Sequence, residues 1–256
     1  MTSPTLLVVV AHPDDETFGC GSLLMHAAER GARTVVVCAT RGEAGEVEQD
    51  VPVPAGGVGE LREGELRDAA GALDVAAVEL LGFADSGLTG DAGPDTLAGA
   101  PVRAVEAAVR AALERHSPDV VVTLDGSDGH RDHVRVRDVV TGLLAGTGTP
   151  VYLQCLPRSL MHAWVRHHAA DEGKVAYVEL PAIGTPDEEL TTIVDTSAML
   201  DRRQAAIALH RSQQSPFDGL PDDVQRTWLG REHLVRVNPP WDGGPQETEL
   251  LGLTGA

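Results

Sequence analysis

The chain is poor in aromatic residues, cysteine and lysine. Aromatic side chains make up 3% of its 256 residues, so the predicted core consists mainly of valine, leucine and alanine. Cys20, Cys38 and Cys155 are far apart and form no Cys-x-x-Cys pair, which argues against a disulfide framework. No apolar run approaches the length needed to span a membrane, which excludes a predicted transmembrane helix.

Positive charge is also scarce. The chain has 20 Lys and Arg against 39 Asp and Glu, a formal net charge of −19, and Lys174 is its single lysine. This excess of negative charge would repel nucleic acid phosphates and anionic lipids, so we expect neither as a partner. Met1 to Pro4 lacks the basic side chains of a signal peptide. We therefore expect a cytoplasmic protein with a small-molecule substrate, whose oligomeric state the sequence leaves open.

Apolar runs alternate with helical patterns along the first part of the chain. The pattern predicts strands over residues 6–10, 34–39, 78–81, 119–124 and 151–156, and helices over 16–30, 60–73, 102–115 and 133–144. This alternation predicts an α/β fold with three Rossmann-like layers, in which helices cover both faces of a mostly parallel sheet. We expect one domain over residues 1–256, with its core at about 5–157 and an elaboration at about 158–256.

The pattern is weaker in the C-terminal third. It predicts helices over residues 159–168 and 197–210, strands over 174–180 and 189–194, and a final stretch that wraps the surface. Two long polar loops, residues 40–59 and 84–95, each follow a strand. Loops of this length are usually functional or disordered, and both should lie at one edge of the sheet.

Two clusters of metal-binding side chains each follow an apolar strand. Ala11-His12-Pro13-Asp14-Asp15-Glu16 comes after the first strand, and Gly129-His130-Arg131-Asp132-His133 comes after residues 120–124. Ligands bind at the carboxyl ends of strands in open α/β sheets. The three acidic residues could instead cap a helix, and the two histidines could simply share a helix face. The occurrence of both clusters after strands favours one metal site built from two segments.

The residue types suit a hydrolytic zinc site. Catalytic zinc commonly takes three His and carboxylate ligands, which His12, Asp15 and His133 could supply. Such a site lowers the pKa of a bound water to roughly 7. Asp14 would be the base, His130 would be a second acid/base or oxyanion donor, and Asp132 would orient His130. Fe(II), Co(II) or Ni(II) would also suit these ligands. Gly19-Cys20-Gly21 lacks the spacing of a dinucleotide-binding motif.

Both clusters together resemble the LmbE-like de-N-acetylases. This family includes N-acetylglucosaminyl-phosphatidylinositol deacetylase, mycothiol deacetylase and mycothiol conjugate amidase. Four further segments are similar to family motifs: Thr40-Arg41-Gly42-Glu43-Ala44-Gly45, Arg62-Glu63-Gly64-Glu65-Leu66, Leu81-Gly82-Phe83-Ala84-Asp85-Ser86-Gly87 and Ala208-Leu209-His210-Arg211-Ser212-Gln213. The resemblance covers residues 5–215 and implies zinc-dependent hydrolysis of an amide on an amino sugar or a glycoside that contains one.

The resemblance also implies roles for individual residues. It gives the same zinc ligands and base, pairs His130 with Asp132, and assigns Arg62 and Asp85 to sugar hydroxyls. Arg62 could instead be a surface charge near a helix start, and Asp85 could be a turn residue. Glu43 would organise its loop. His210 is more typical of helix packing than of catalysis.

One position departs from the pattern. Some sugar-processing members have tyrosine where this chain has Asp128, so the oxyanion-stabilising hydroxyl is missing there. We expect Asp128 to lie near His130 and to raise the pKa of that imidazole. Two alternatives stay open: an amidase that acts on a thiol–sugar conjugate, and a metal-binding regulator without turnover. Asp14 argues against the regulator, because a pure metal site has no use for a base beside its ligands.

Overall fold

The computed structural model describes residues 3–168 and 183–253, and its strands form one sheet. The strands are β1 (Thr5–Val10), β2 (Arg33–Cys38), β3 (Ala77–Leu80), β4 (Val120–Leu124), β5 (Val151–Gln154), β6 (Thr192–Asp195) and β7 (Arg231–Asn238). Their order across the sheet is β3-β2-β1-β4-β5-β7-β6. The first five strands pair in parallel, and β7 pairs antiparallel with both β5 and β6.

The helices connect the parallel strands and close the C-terminal region. They are α1 (Asp15–Glu29), α2 (Val58–Ala72), α3 (Val102–His116), α4 (Arg131–Leu144), α5 (Arg158–His168), α6 (Leu200–Ile207) and α7 (Asp222–Leu229). None of these helices is both long enough and apolar enough to cross a membrane. The α/β architecture expected from the sequence is confirmed.

Side chains of alternating strand positions supply two apolar layers. On one face, Leu6, Val8 and Val10 of β1 pack in a cluster with residues of α1, α2 and α6. On the other face, Leu7 and Val9 pack with residues of α3 and α4. Because both faces are covered, β1 is buried along its whole length, which explains its uninterrupted apolar run. The three cysteines are buried and unpaired.

The C-terminal third differs from its prediction. The stretch expected to wrap the surface contains α7 and β7, and β7 enters the sheet between β5 and β6. The apolar pattern of β7 was hidden by Glu232, a buried carboxylate that pairs with Arg203 of α6 at 2.9 Å. The predicted helix over 197–210 is a 3₁₀ turn followed by the shorter α6, and β6 begins at Thr192. The predicted strand over 174–180 lies outside the described residues.

Candidate active site

Adjacent parallel strands bring the two clusters together. β1 and β4 pair directly, and the His12 and His133 segments follow their carboxyl ends. The His12 Nδ1 atom lies 3.3 Å from His133 Nε2 and 3.6 Å from Asp15 Oδ2, and His133 Nε2 lies 3.3 Å from Asp15 Oδ1. A tetrahedral ion with bonds of about 2.0–2.2 Å separates its ligands by roughly 3.3–3.6 Å. The spacing of these three groups therefore fits a zinc-sized ion.

Each histidine of this group has a carboxylate on its other ring nitrogen. Asp132 Oδ2 lies 3.2 Å from His12 Nε2, and Asp128 Oδ2 lies 2.6 Å from His133 Nδ1. Such carboxylates orient the ring and direct the free nitrogen lone pair at the metal. The Asp132 carboxylate therefore orients His12, whereas the sequence had assigned it to His130. Asp128 likewise orients His133. The sequence offered no sign of this pairing, because the two residues are five positions apart across the start of a helix.

The pKa of His130 differs from the one expected, and its ring caps a helix. Its Nδ1 atom accepts a hydrogen bond from the backbone N–H of Asp132 at 3.2 Å, which caps α4 and leaves Nε2 as the ring donor. Burial lowers the pKa of His130 to about 4, and the nearby His12 and His133 act in the same direction. Asp132 and Asp128 oppose this shift but do not overcome it. The expectation of a raised His130 pKa is wrong, because burial and the charges of His12 and His133 outweigh the effect of the two carboxylates.

Asp15 and Asp14 point in different directions from one turn. Asp15 Oδ2 accepts the backbone N–H groups of His12 and Ala11 at 2.8 and 3.2 Å, which hold its carboxylate toward the histidines. Asp14 has φ 112°, a conformation that costs a non-glycine residue about 1–3 kcal/mol. From this strained turn the Asp14 carboxylate lines the cleft that lies over His12, Asp15 and His133.

Arg62 of α2 donates hydrogen bonds to Asp14 and to nearby backbone carbonyls. Its guanidinium donates to Asp14 Oδ2 at 3.0 Å, to the carbonyl of Pro13 at 2.6 Å and to that of Gly42 at 2.8 Å. Arg62 is 4% exposed. The sequence had assigned this residue to sugar hydroxyls, but its terminal nitrogens donate three hydrogen bonds within the protein, and its buried Nε atom has no partner. Burial raises the pKa of Asp14 to about 6, and the Arg62 charge counteracts part of that rise.

Asp85 lies in the cleft and ties the two long loops together. Its Oδ1 atom is 3.4 Å from His12 Nε2, and its Oδ2 atom accepts the Ala44 backbone N–H at 3.3 Å. Glu43 accepts the backbone N–H of Asp85 at 3.1 Å, which agrees with its expected part in organising the loop. The next residue, Ser86, donates to Asp132 at 2.5 Å. Sequence reasoning missed Ser86, which the family motif contained but whose partner only the fold reveals.

The end of the family motif near residue 210 contacts the start of α1. His210 Nε2 lies 2.9 Å from Glu16 Oε1, and both side chains are buried. Glu16 also accepts the backbone N–H of Asp14 at 2.9 Å. His210 lies after the end of α6, not on a helix face as expected, and it supports the strained turn through Glu16. The burial of Glu16 was not foreseen, because an acidic residue in a first helical turn is usually solvated.

The site is rich in negative charge. The carboxylates of Asp14, Asp15, Asp85, Asp128 and Asp132 surround the histidines, and Arg62 contacts the first of these carboxylates. Although burial opposes the shift, the neighbouring Asp15 and Asp128 raise the pKa of His133 to about 10. The pKa of His12 is likewise raised, against its burial, by Asp132, Asp15 and Asp85. A cluster whose carboxylates favour positive charge on its histidines is electrostatically suited to a divalent cation.

A cleft of about 940 Å³ opens over this cluster. One part of its lining is polar and includes Asp14, Asp85, Arg62 and Gln213. Another part is apolar and comes from α1, α5, α7 and the segments near residues 183 and 217. The arrangement brings a group of possible metal ligands, the Asp14 carboxylate and the His130 imidazole to the floor of one open cavity.

Residues 7–144 match the family model described as PIG-L, GlcNAc-PI de-N-acetylase. The matched segment contains both clusters and extends from β1 to the end of α4. Every residue assigned to metal, base or oxyanion chemistry lies within it.

Similar proteins extend the match over the whole chain. A 1D-myo-inositol 2-acetamido-2-deoxy-alpha-D-glucopyranoside deacetylase from Rhodococcus jostii is 31% identical, with 100% of both chains covered. A second deacetylase of that description, from Saccharopolyspora erythraea, is 34% identical over 98% of this chain and 95% of its own. A solved deacetylase–teicoplanin complex from the teicoplanin biosynthesis pathway shares the fold, with a TM-score of 0.61, 19% identity and coverage of 91% and 98%.

Proposed function

Because the chain belongs to the GlcNAc-PI de-N-acetylase family, we propose that it is a metal-dependent hydrolase that removes an acetyl group from the nitrogen of an amino sugar. The observation that carries this proposal is the convergence of His12, Asp15 and His133 at 3.3–3.6 Å beside the Asp14 carboxylate. Relatives described as deacetylases of 1D-myo-inositol 2-acetamido-2-deoxy-alpha-D-glucopyranoside make that glycoside the first substrate to test.

The donor set favours zinc as the resident metal. Two imidazoles and one carboxylate at tetrahedral spacing are typical of a catalytic zinc site, although Fe(II), Co(II) and Ni(II) accept the same ligands. When bound, such an ion would polarise the amide carbonyl and make water nucleophilic at neutral pH. Asp132 and Asp128 would keep His12 and His133 oriented toward it.

Asp14 would act as the base and would then return the proton. A raised pKa suits this double task, since the carboxylate can take a proton from water and release it to the departing sugar nitrogen. Arg62 keeps the carboxylate oriented and partly counteracts its rise in pKa. The return of the proton by Asp14 removes the need for a charged His130.

His130 would stabilise the oxyanion of the tetrahedral intermediate as a neutral imidazole. Its Nδ1 atom is occupied as an acceptor from the Asp132 backbone, so the Nε2–H group is the donor available to substrate. A fixed donor aimed at developing negative charge is a common and effective catalytic device. This donor takes the place of the tyrosine hydroxyl that some relatives carry at the position of Asp128.

Asp85 is the better of the two candidates for sugar binding. Its carboxylate lines the cleft, and a charged acceptor buried at this depth suits a sugar hydroxyl. We propose that Arg62 instead acts as a positioning residue for Asp14. The cytoplasmic location and the single-domain boundaries expected from the sequence stay predictions.

The first prediction tests the base. Asp14→Asn keeps the size of the side chain and leaves the three metal ligands, so metal content should remain while turnover falls by roughly 10²–10⁴. Acetate release from the inositol glycoside, with metal analysis of the same sample, measures both. Asp74→Asn is a matched control, because Asp74 is also an aspartate with positive φ and it pairs with Arg202 at the surface. Near-normal turnover in Asp14→Asn would contradict the assignment.

Release of a thiol-conjugated acyl group in place of acetate would favour the amidase alternative. Bound metal without turnover on any N-acylated sugar would overturn the proposed function.

A further inference from the structure

The polar loop over residues 84–95 follows β3 and borders the cleft. Five consecutive residues of this loop line the cleft: Asp85, Ser86, Gly87, Leu88 and Thr89. Residues 86–90, which we name the cleft segment, form neither helix nor strand, so regular backbone pairing does not hold them in place. Other contacts must therefore fix the shape of this side of the cleft.

One arginine supplies most of these contacts. Arg131 is the first residue of α4, and its Nε atom donates to the carbonyl of Gly87 at 2.7 Å. Its Nη1 atom donates to the carbonyl of Gly90 at 2.8 Å. Its Nη2 atom donates to the carbonyls of Thr89, at 3.0 Å, and Ser86. The φ angles of Gly87 and Gly90 are 62° and 83°, which lets the segment curl around the guanidinium without steric cost.

The guanidinium of Arg131 bonds to backbone carbonyls and to no acid. Although the chain has 39 acidic residues, Arg131 forms no ion pair with any of those that the structure describes. Arg131 is also absent from the lining of the cleft in the described part of the chain. A planar group with five N–H donors can reach several carbonyls at once. Arg131 is therefore placed to act through the cleft segment and not directly on a ligand.

The residue after Arg131 fixes the same segment from its other polar groups. The Asp132 carboxylate accepts the backbone N–H of Ser86 at 2.9 Å and its hydroxyl at 2.5 Å. Asp132 also contacts His12, and His130 and His133, on either side along the chain, line the cleft. The start of α4 therefore joins the cleft segment to the metal-binding group.

Asp85 is attached to the cleft segment directly. Its Oδ1 atom accepts the backbone N–H of Gly87 at 2.8 Å, in the same peptide segment whose carbonyls bond to Arg131. A shift of the segment would therefore move the Asp85 carboxylate relative to the metal-binding group. A misplacement of about 1 Å in such a group can cost roughly 10²-fold in rate.

We infer that Arg131 is a positioning residue, which holds the cleft segment so that the Asp85 carboxylate stands at the right distance from the metal-binding group to hold the sugar. The inference rests on the proposed function, in which Asp85 binds a sugar hydroxyl. It gives Arg131 a part in substrate binding without contact between Arg131 and substrate.

The experiment compares KM and kcat of metal-loaded Arg131→Met with those of the wild type, on the inositol glycoside and on the methyl glycoside of N-acetylglucosamine. We expect KM to rise by about 10–100-fold, the effect of losing a hydrogen bond to a charged group. We expect kcat to change little, because Asp85 would hold substrate and transition state alike. Arg131→Lys has three N–H donors for four carbonyls, so its KM should lie between the two.

A merely structural role would give a different result. Loss of folded enzyme lowers the apparent kcat and leaves KM at its wild-type value. Arg202→Met is the control, since Arg202 also donates to a backbone carbonyl, that of Ala72 at 3.3 Å, and lies outside the cleft lining. Both constants should stay at wild-type values in this control, and metal content should be equal in all variants. If Arg131→Met fails to fold, Arg131→Lys gives the same test with a smaller change.

A double-mutant cycle shows whether Arg131 acts through Asp85. Asp85→Ala removes the carboxylate that the cleft segment positions. In that background, Arg131→Met should have little further effect on kcat/KM, so the two changes together should cost less than their sum.

The outcomes separate the two levels of the proposal. An unchanged KM in both Arg131 variants, a fall in kcat at constant KM, loss of metal, or additive costs in the cycle overturns this inference and leaves the deacetylase proposal intact. Absence of wild-type turnover on every N-acetylated sugar overturns the proposed function itself.

Discussion

Arg62 is buried next to Asp14, the proposed base, and its guanidinium donates a hydrogen bond to the Asp14 carboxylate. Because its positive charge counteracts the rise in the Asp14 pKa, removal of that charge should raise this pKa further. A base with a higher pKa stays protonated to higher pH. We therefore predict that Arg62→Met moves the acidic limb of the kcat/KM profile to higher pH, and that Arg62→Lys, which keeps the charge, moves it less.

The pH–rate profiles of the metal-loaded variants measure this shift. A bound cation would lower the Asp14 pKa in every variant, so the direction of the difference between them would persist. A lower rate with the acidic limb at its wild-type pH would mean that Arg62 acts only through its hydrogen bonds to the backbone carbonyls of Pro13 and Gly42.

Asp128 shows how one contact changes a residue's role. With its carboxylate 2.6 Å from His133 Nδ1, Asp128→Asn should weaken metal binding by about 10–100-fold, the usual effect of losing a carboxylate behind a ligating histidine. Asparagine can still accept the His130 backbone N–H through Oδ1, but its amide NH2 replaces the oxygen that lies against His133 Nδ1, so the change removes the contact with His133 and keeps the one with His130. Competition with a chelator measures the affinity. Asp138→Asn on the exposed side of α4 is the control.

The sequence alone had led to a different expectation for this variant, with metal retained and an alkaline limb shifted through His130. Retained metal affinity together with a shifted alkaline limb would restore that expectation and would contradict the pairing of Asp128 with His133.

At the scale of secondary-structure elements, a buried ion pair joins three of them. Arg203 of α6 donates to Glu232 of β7 at 2.9 Å and to the carbonyl of Phe18 in α1 at 2.6 Å. Both charged side chains are 1% exposed. Loss of one partner leaves an uncompensated buried charge, so Arg203→Met should lower the free energy of unfolding by about 3–5 kcal/mol.

A double-mutant cycle in denaturant unfolding tests this pair. Arg203→Met combined with Glu232→Leu should cost less than the sum of the single changes, because the double variant buries no lone charge. Additive costs would indicate that the pair is not coupled. Arg202→Met, at the neighbouring surface residue that pairs with Glu29 and Asp74, should change stability by less than about 1 kcal/mol.

At the scale of the whole molecule, the carboxylates around the metal site couple metal binding to the release of protons from the histidines. The carboxylates around the site raise the pKa of His133 to about 10 and also raise that of His12, so they favour protonated imidazole in the metal-free protein. A metal must displace a proton from a ligating nitrogen, so binding at pH 7 should release at least one proton and should weaken as pH falls. Calorimetry in buffers of different ionisation enthalpy counts the released protons. Binding without proton release would contradict the ligand set.

The order of strands and helices in the first 150 residues follows from local patterns. The central strands β1 and β4 are nearly continuous apolar runs, because burial on both faces leaves little place for a polar side chain, and each parallel strand is followed by a helix. The two His and Asp clusters stood at strand ends, and the carboxyl ends of neighbouring parallel strands share one edge. The candidate ligands and base could therefore be named before any coordinates, as could the family.

Contacts between distant segments were decided only by the tertiary structure. β7 was missed because Glu232 makes its sequence look solvated, and the partner that allows its burial, Arg203, lies 29 residues away. Arg62, Asp128 and Asp132 were recognised as site residues but given the wrong contacts, since residue type fixes what a side chain can bind and not which neighbour it meets. The sequence by itself determined the chemistry available at the sheet edge, because that depends on residue type and local spacing. The structure decided how that chemistry is oriented and which cavity surrounds it, because those depend on side chains that meet only when the chain folds.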